Sequence, residues 1–142
     1  MHFARMDEQV TQQTTRQRGF TLIELVIAMV VIGILAAISI PSYAAYVQRS
    51  NRVATQAFLA DLASRQQQYL LNRREYGSLT DLGITVPGDI SKSYTVTMTA
   101  ELPANAPPRF TATATPVGGQ AAERCGTLTI NSAGQKSPAG CW

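Results

Sequence analysis

The stretch FTLIELVIAMVVIGILAAISI, Phe20 to Ile40, is apolar at nearly every position. Helix rises about 1.5 Å per residue, so this run spans about 30 Å, the thickness of a bilayer's hydrocarbon core. The residues ahead of it differ in character: 1–19 hold little that is apolar and carry Arg5, Arg16 and Arg18 beside Asp7 and Glu8. Cations just before a span favour the cytoplasmic side. Residues 1–19 are therefore expected in the cytoplasm, and everything after Ile40 on the far side of the membrane. About a hundred residues remain for a single small domain. Much of the chain's 45% hydrophobic content sits in the span, outside any core that domain can build.

Two ordinary explanations compete for such a run. A secretory signal peptide also joins a basic start to an apolar stretch, and Ser42-Tyr43-Ala44-Ala45 offers small residues for a cut. Its apolar core is normally 7–15 residues long, shorter than this one. It has no use for a carboxylate such as Glu24, and here the helical pattern continues beyond the supposed cut. A plain transmembrane anchor accounts no better for Glu24. A carboxylate among lipid tails costs roughly 2–3 kcal/mol and calls for a partner, and the span holds no cation.

The residues Gly19-Phe20-Thr21-Leu22-Ile23-Glu24, followed by the long apolar run and Pro41, resemble the class III signal of type IV prepilins and their pseudopilin relatives. The resemblance implies that a prepilin peptidase, a membrane-embedded aspartyl enzyme, cuts between Gly19 and Phe20 and that the new amine of Phe20 is methylated. Glycine suits the cut because it lets a peptidase approach the backbone closely. The resemblance also supplies Glu24 with a partner: in the family the corresponding carboxylate pairs with the Phe20-type amine of a neighbouring subunit. On that reading the membrane-bound monomer is electrostatically unsatisfied and the docked one satisfied, since an unpaired charge in low dielectric is costly. Gly33 and Pro41 are expected to mark a break in the helix, proline by removing a hydrogen bond and glycine by its low helix propensity; in the isolated monomer this reads as no more than a tolerated kink. In fibres of similar proteins the stretch between such positions unwinds.

From Ser42 to Asn72 the pattern is that of an amphipathic helix, with Tyr43, Val47, Ala54, Phe58, Leu62 and Tyr69 stepping by four or seven beside Leu59 and Leu70. Arg49, Arg52, Arg65, Arg73 and Arg74 read as its solvated face. Asn72 to Lys92 is punctuated by Gly77, Gly83, Pro87 and Gly88 and reads as a loop laying Tyr76, Leu79, Leu82 and Ile84 on the helix. Ser93–Leu102, Arg109–Gly118 and Gly126–Asn131 alternate as strands, and Gln135-Lys136-Ser137 starts a fourth. The expected fold is α+β, a type IV pilin fold: a long N-terminal helix, transmembrane in its first half, packed by a small antiparallel sheet of 3–4 strands. The organisation is a cleaved leader at 1–19, a membrane and assembly segment at 20–41, and a periplasmic head at 42–142.

Cys125 and Cys141 have fifteen residues between them. Pairing is the default for an exported domain and is worth about 3 kcal/mol by loop-closure entropy. The string CGTLTINSAGQKSPAGCW, with REYGSLTDLG upstream, resembles the disulfide-bounded end of minor pilins of the PilE and ComP group. From Phe20 onward nine basic residues face seven acidic ones, a balance that by itself neither requires nor excludes nucleic acid. The only histidine is His2, inside the leader. No phosphate-binding glycine loop stands out, Gly118-Gly119 reads as an isolated turn, and no acidic cluster has calcium-ligand spacing. No cofactor or metal is expected, and the chain reads as the substrate of a processing enzyme rather than an enzyme.

The leading functional reading is a structural, minor subunit of a type IV pilus serving adhesion, twitching motility or DNA uptake. Its partners are other pilin subunits, prepilin peptidase, the inner-membrane assembly machinery and, before assembly, membrane lipid. It crosses the inner membrane once before joining an extracellular fibre. A second reading is a DNA receptor pilin for transformation, in which Lys92, Arg109, Arg124 and Lys136 meet on one face and Trp142 stacks on or wedges against a nucleotide. A type II secretion pseudopilin is the third.

Overall fold

A computed structural model describes residues 19–142 of the chain. Residues 1–18, with His2, Arg5, Arg16 and Arg18 of the expected leader, lie outside the described residues. Helix α1 runs Leu22–Arg73. Thr21 caps its start: Glu24 N–H donates to Thr21 Oγ1 at 3.3 Å, and Leu25 N–H to the Thr21 carbonyl at 3.2 Å. Thr21 and Glu24 thus stand at the two positions of a capping box. The Glu24 carboxylate lies in the first turn, where the helix dipole favours negative charge. The apolar part of α1 is long enough to cross a membrane.

In the single chain α1 runs as one helix through Gly33 and Pro41, as a tolerated proline allows, and the unwinding expected in fibres concerns the assembled state. Proline removes a single backbone hydrogen bond, and the helix-forming residues on either side of Pro41 carry the turn across it. By its contacts the chain divides into two compact units, with the boundary between Ile38 and Ser39. In the described part of the first unit every residue is exposed.

The second unit holds the core. After α1 come a short helix α2 at Gly88–Ser91 and four strands, β1 at Tyr94–Glu101, β2 at Arg109–Pro116, β3 at Leu128–Asn131 and β4 at Lys136–Ser137. They form one antiparallel sheet in the order β1-β2-β3-β4. Alternation sets its two faces. Tyr94 and Val96 of β1, Phe110, Ala112 and Ala114 of β2, and Leu128 and Ile130 of β3 share a buried cluster with Leu59 and Leu62 of α1 and Ile90 of α2. The intervening threonines face outward. Thr97, Thr113, Thr129 and Ser137 stand in one row across all four strands, flanked by the Thr95–Thr115 and Thr99–Thr111 pairs. Such cross-strand pairs contribute a few tenths of a kcal/mol each, up to roughly 1. They also leave the middle of the outer face uncharged.

The loop after α1 is pinned by a buried amide. Gln66 donates Nε2 to the Gly77 carbonyl and accepts the Gly77 N–H on Oε1 at 3.0 Å. Gly77 has no room for a side chain, since a Cβ there would lie 2.8 Å from Leu82 Cδ1 and 2.9 Å from Asp81 Cβ. Tyr76, Leu79 and Ile84 then pack on the core as the sequence suggests, with Tyr76 edge-on to Phe110 at 4.8 Å between ring centres.

The buried stripe of α1 differs from the sequence reading. Thr55, Leu59, Leu62 and Gln66 are its buried residues, while Tyr43, Val47 and Ala54 are exposed. The spacing is four-three-four, as expected of a helix seam, but half of the buried stripe is polar. Nor is Gly118-Gly119 an isolated turn; it opens a 3-10 helix at Gly118–Ala122.

Candidate functional site

The 3-10 helix and the disulfide loop behind it are stitched to one face of α1 by side-chain amides. Gln48 Nε2 donates to the Gly119 carbonyl at 2.8 Å, and Asn51 Nδ2 to Gln120 Oε1 at 3.3 Å. Gln120 is buried and returns the bond, its Nε2 donating to the Gln48 carbonyl at 2.9 Å and to the Tyr94 hydroxyl at 3.0 Å. Burial pushes the Tyr94 phenol up from its ordinary range, keeping it protonated within this network. Further along α1, Gln56 Nε2 donates to the Cys141 carbonyl. Cys125 and Cys141 are bonded, as the spacing and compartment suggest, with their Cα atoms 5.8 Å apart.

Under this loop lies an ion pair. Arg52 Nη1 donates to Glu123 Oε1, and the two side chains are 14% and 7% exposed. The other Glu123 oxygen accepts the Cys125 N–H at 3.1 Å, and Arg52 Nη1 also lies 2.9 Å from Cys125 Sγ. Arg52 is therefore not part of a solvated face. A buried charge needs a partner and hydrogen bonds to be tolerated, and Glu123 provides both while tying the disulfide to the helix.

Beside this pair opens a groove of about 580 Å³, lined among others by Arg49, Arg52, Gln56, Glu123, Arg124 and Trp142. Three guanidinium groups meet one carboxylate there, and Arg52 occupies that carboxylate. Arg49 and Arg124 are exposed and have no acidic partner among the described residues. The groove thus carries an excess of positive charge.

The remaining sequence-selected residues divide into two groups. Arg124 and Trp142 share the groove, and Lys136 joins them through Trp142, its Nζ 4.8 Å above the ring centre. Trp142 Nε1 donates to the Ser137 carbonyl at 2.9 Å. One face of the indole is thus covered by a cation and its N–H is engaged, so Trp142 supports Lys136 instead of offering an open ring for stacking. Lys92 and Arg109 do not join the cluster. Arg109 pairs with Glu101 at one end of the β1–β2 ladder, through Nε and Oε2 at 2.6 Å. Lys92 precedes the other end, 3.9 Å from Asp89. Eight-residue strands separate those ends by roughly 25 Å. The four cations expected on one face are therefore split by the length of the sheet.

Arg49 replaces them in the groove, a residue that charge counting had left on a solvated face. The signal was in the helix spacing: Gln48, Arg52, Thr55, Leu59, Leu62, Gln66 and Tyr69 step by four and three. Arg52 lies on the seam and Arg49 beside it. At the other end of α1, Phe20 is 82% exposed and Glu24 has no basic partner among the described residues.

The sequence profile of a family described as "Type IV minor pilin ComP, DNA uptake sequence receptor" matches residues 41–129. That of the prokaryotic N-terminal methylation motif matches residues 14–40. A fimbrial protein of Neisseria meningitidis is 39% identical over 82 residues, covering 56% of this chain and 48% of its own length. The type IV wide pilus major component PilA4 of Thermus thermophilus is 37% identical over 81 residues, covering 54% of this chain and 62% of its own. The chain thus matches about half the length of the first of these relatives and somewhat more of the second. Among solved structures, a type IV pilin from Shewanella oneidensis superposes with a TM-score of 0.53 at 23% identity, over 67% of this chain and 97% of the other. That likeness concerns the fold alone.

Proposed function

This chain belongs to the family of type IV minor pilins described as ComP, DNA uptake sequence receptor, and from that premise we propose that it is a fibre subunit whose head contacts DNA. The part played by each segment follows from its chemistry. Residues 1–19 form a leader that prepilin peptidase removes after Gly19, and Phe20 then carries a methylated amine; the methylation-motif match over residues 14–40 supports this reading. The apolar helix holds the subunit in the inner membrane until the assembly machinery extracts it. Glu24, whose carboxylate has no basic partner among the described residues, pairs with the Phe20 amine of an adjacent subunit.

The observation that carries the DNA reading is the groove beside the Cys125–Cys141 bond, where Arg49 and Arg124 have no acidic partner among the described residues and Lys136 lies over Trp142. The uncharged threonine rows disfavour the sheet's outer face for this purpose, because affinity for a polyanion comes from cations that displace its counterions. The full chain in detergent micelles is expected to retard a short DNA duplex at low salt. Binding should weaken steeply as salt rises, with a slope of about −0.9 per phosphate neutralised in a plot of log K against log salt. Absence of retardation at low salt, with the head folded by circular dichroism, would reject DNA as the ligand.

A further inference from the structure

Arg49 and Arg124 bring two cations to one groove, and Arg52 and Glu123 line it as a pair. Arg49 projects from α1 and Arg124 from the segment just before Cys125, and both line the same space of about 580 Å³. The only acidic residue in that lining, Glu123, is engaged by Arg52 and by the Cys125 N–H. Two guanidinium groups facing one cleft repel each other, and an oxyanion between them relieves that repulsion. The volume is that of a small-ligand site, and planar guanidinium forks suit a phosphate's oxygens. Trp142 also lines the groove, held by Ser137 and covered by the Lys136 cation.

We propose that this groove is a seat for a single phosphodiester of the DNA backbone, clamped between Arg49 and Arg124. The proposal rests on the DNA reading above and assigns the clamp within it. The walls come from two separate stretches of chain, joined by the Arg52–Glu123 pair and by the Gln56–Cys141 bond. The seat is therefore a product of the folded head, not of a run of basic sequence. It reads charge and spacing, so it anchors DNA without distinguishing one base from another.

Trp142 is the chain's only tryptophan, which makes its fluorescence a reporter for this groove alone. Full-length protein in detergent micelles is titrated with a short duplex oligonucleotide, with inorganic phosphate, and with micelles doped with phosphatidylglycerol. The duplex is expected to change the Trp142 emission. Arg49→Gln and Arg124→Gln should each weaken duplex binding roughly tenfold and flatten the salt slope by about one unit. Those losses should be alike for duplexes of unrelated sequence. Arg65→Gln, whose arginine pairs with Asp61 on the exposed helix face, should leave both quantities unchanged.

If the wild type retards duplex but both arginine variants keep its affinity and slope, the seat is wrong and the DNA reading stands. If the wild type does not bind duplex, the DNA reading fails and the seat with it. A response to phosphatidylglycerol without one to duplex overturns the proposal in favour of a lipid headgroup. Inorganic phosphate alone should compete weakly with the duplex, and failure to compete at any concentration also counts against the clamp.

Discussion

Replacing Glu24 with Val is expected to leave cleavage after Gly19 intact and to remove the subunit from the fibre. In the bilayer the carboxylate is a burden of roughly 2–3 kcal/mol, and the valine variant sits there more comfortably than the wild type. In the fibre the order reverses. On the proposed reading, cleavage creates an amine at Phe20, and docking carries that cation into an apolar environment where it needs a counter-charge. Without Glu24 the amine is buried unpaired, a penalty of about 3 kcal/mol or more and so at least a hundredfold in assembly. The capping position of Glu24 does not account for such a loss, because a surface cap contributes only about 1 kcal/mol to a long helix. Glu24→Gln keeps the side chain's shape and hydrogen-bonding capacity without its charge, and should fail alongside Glu24→Val. Immunoblots of sheared fibres and of membranes separate the outcomes. Normal incorporation of either variant, from a normally cleaved precursor, rules out the charge-pairing account.

Glu123→Ala is expected to damage the head more than loss of any exposed charge. Arg52 lies 14% exposed against Glu123, and its Nε is buried with no hydrogen-bond partner. Truncating the glutamate leaves a guanidinium in that setting with no counter-ion and only the weakly accepting Cys125 Sγ, at 2.9 Å, beside it. It also frees the Cys125 N–H that Glu123 holds at 3.1 Å. Breaking a buried pair from one side costs about 3–5 kcal/mol, which for a domain of this size lowers the melting temperature by about 10 °C or more. Glu101→Ala, removing the partner of exposed Arg109, should shift it by no more than a few degrees, since surface pairs contribute up to about 1 kcal/mol. Melting followed by circular dichroism compares the two. Equal small shifts would mean that Arg52 finds water or another acceptor and that the pair does not hold the loop.

The fold was largely legible because its signals are short-range. Val96 between Thr95 and Thr97, and Ala112 between Thr111 and Thr113, alternate as an exposed-and-buried sheet must, so β1 and β2 could be placed within a residue or two. Gly77 and Gly83 marked the end of the helical pattern. The helix seam was misplaced because its buried positions include Thr55 and Gln66, and hydropathy ranks such residues as surface. Their burial is stabilised by partners, Asn51 O for Thr55 and the Gly77 backbone for Gln66, and no local pattern announces a partner eleven residues away. The candidate site was legible in part for the same reason. Arg124, Lys136 and Trp142 cluster because the disulfide ends lie close in sequence. The displacement of Lys92 and Arg109 follows from strand register, and the arrival of Arg49 from contacts some seventy residues apart. Gly33 and Pro41 carried a break by analogy with assembled fibres, and the single chain keeps the helix whole.

The account turns on one claim, that this chain leaves the membrane and becomes part of a fibre. Mass spectrometry of sheared, washed fibres measures it most directly. The account predicts a mature chain beginning at an N-methylated Phe20, with the Cys125–Cys141 bond intact. A chain found only in the membrane fraction, still carrying residues 1–19, would contradict it.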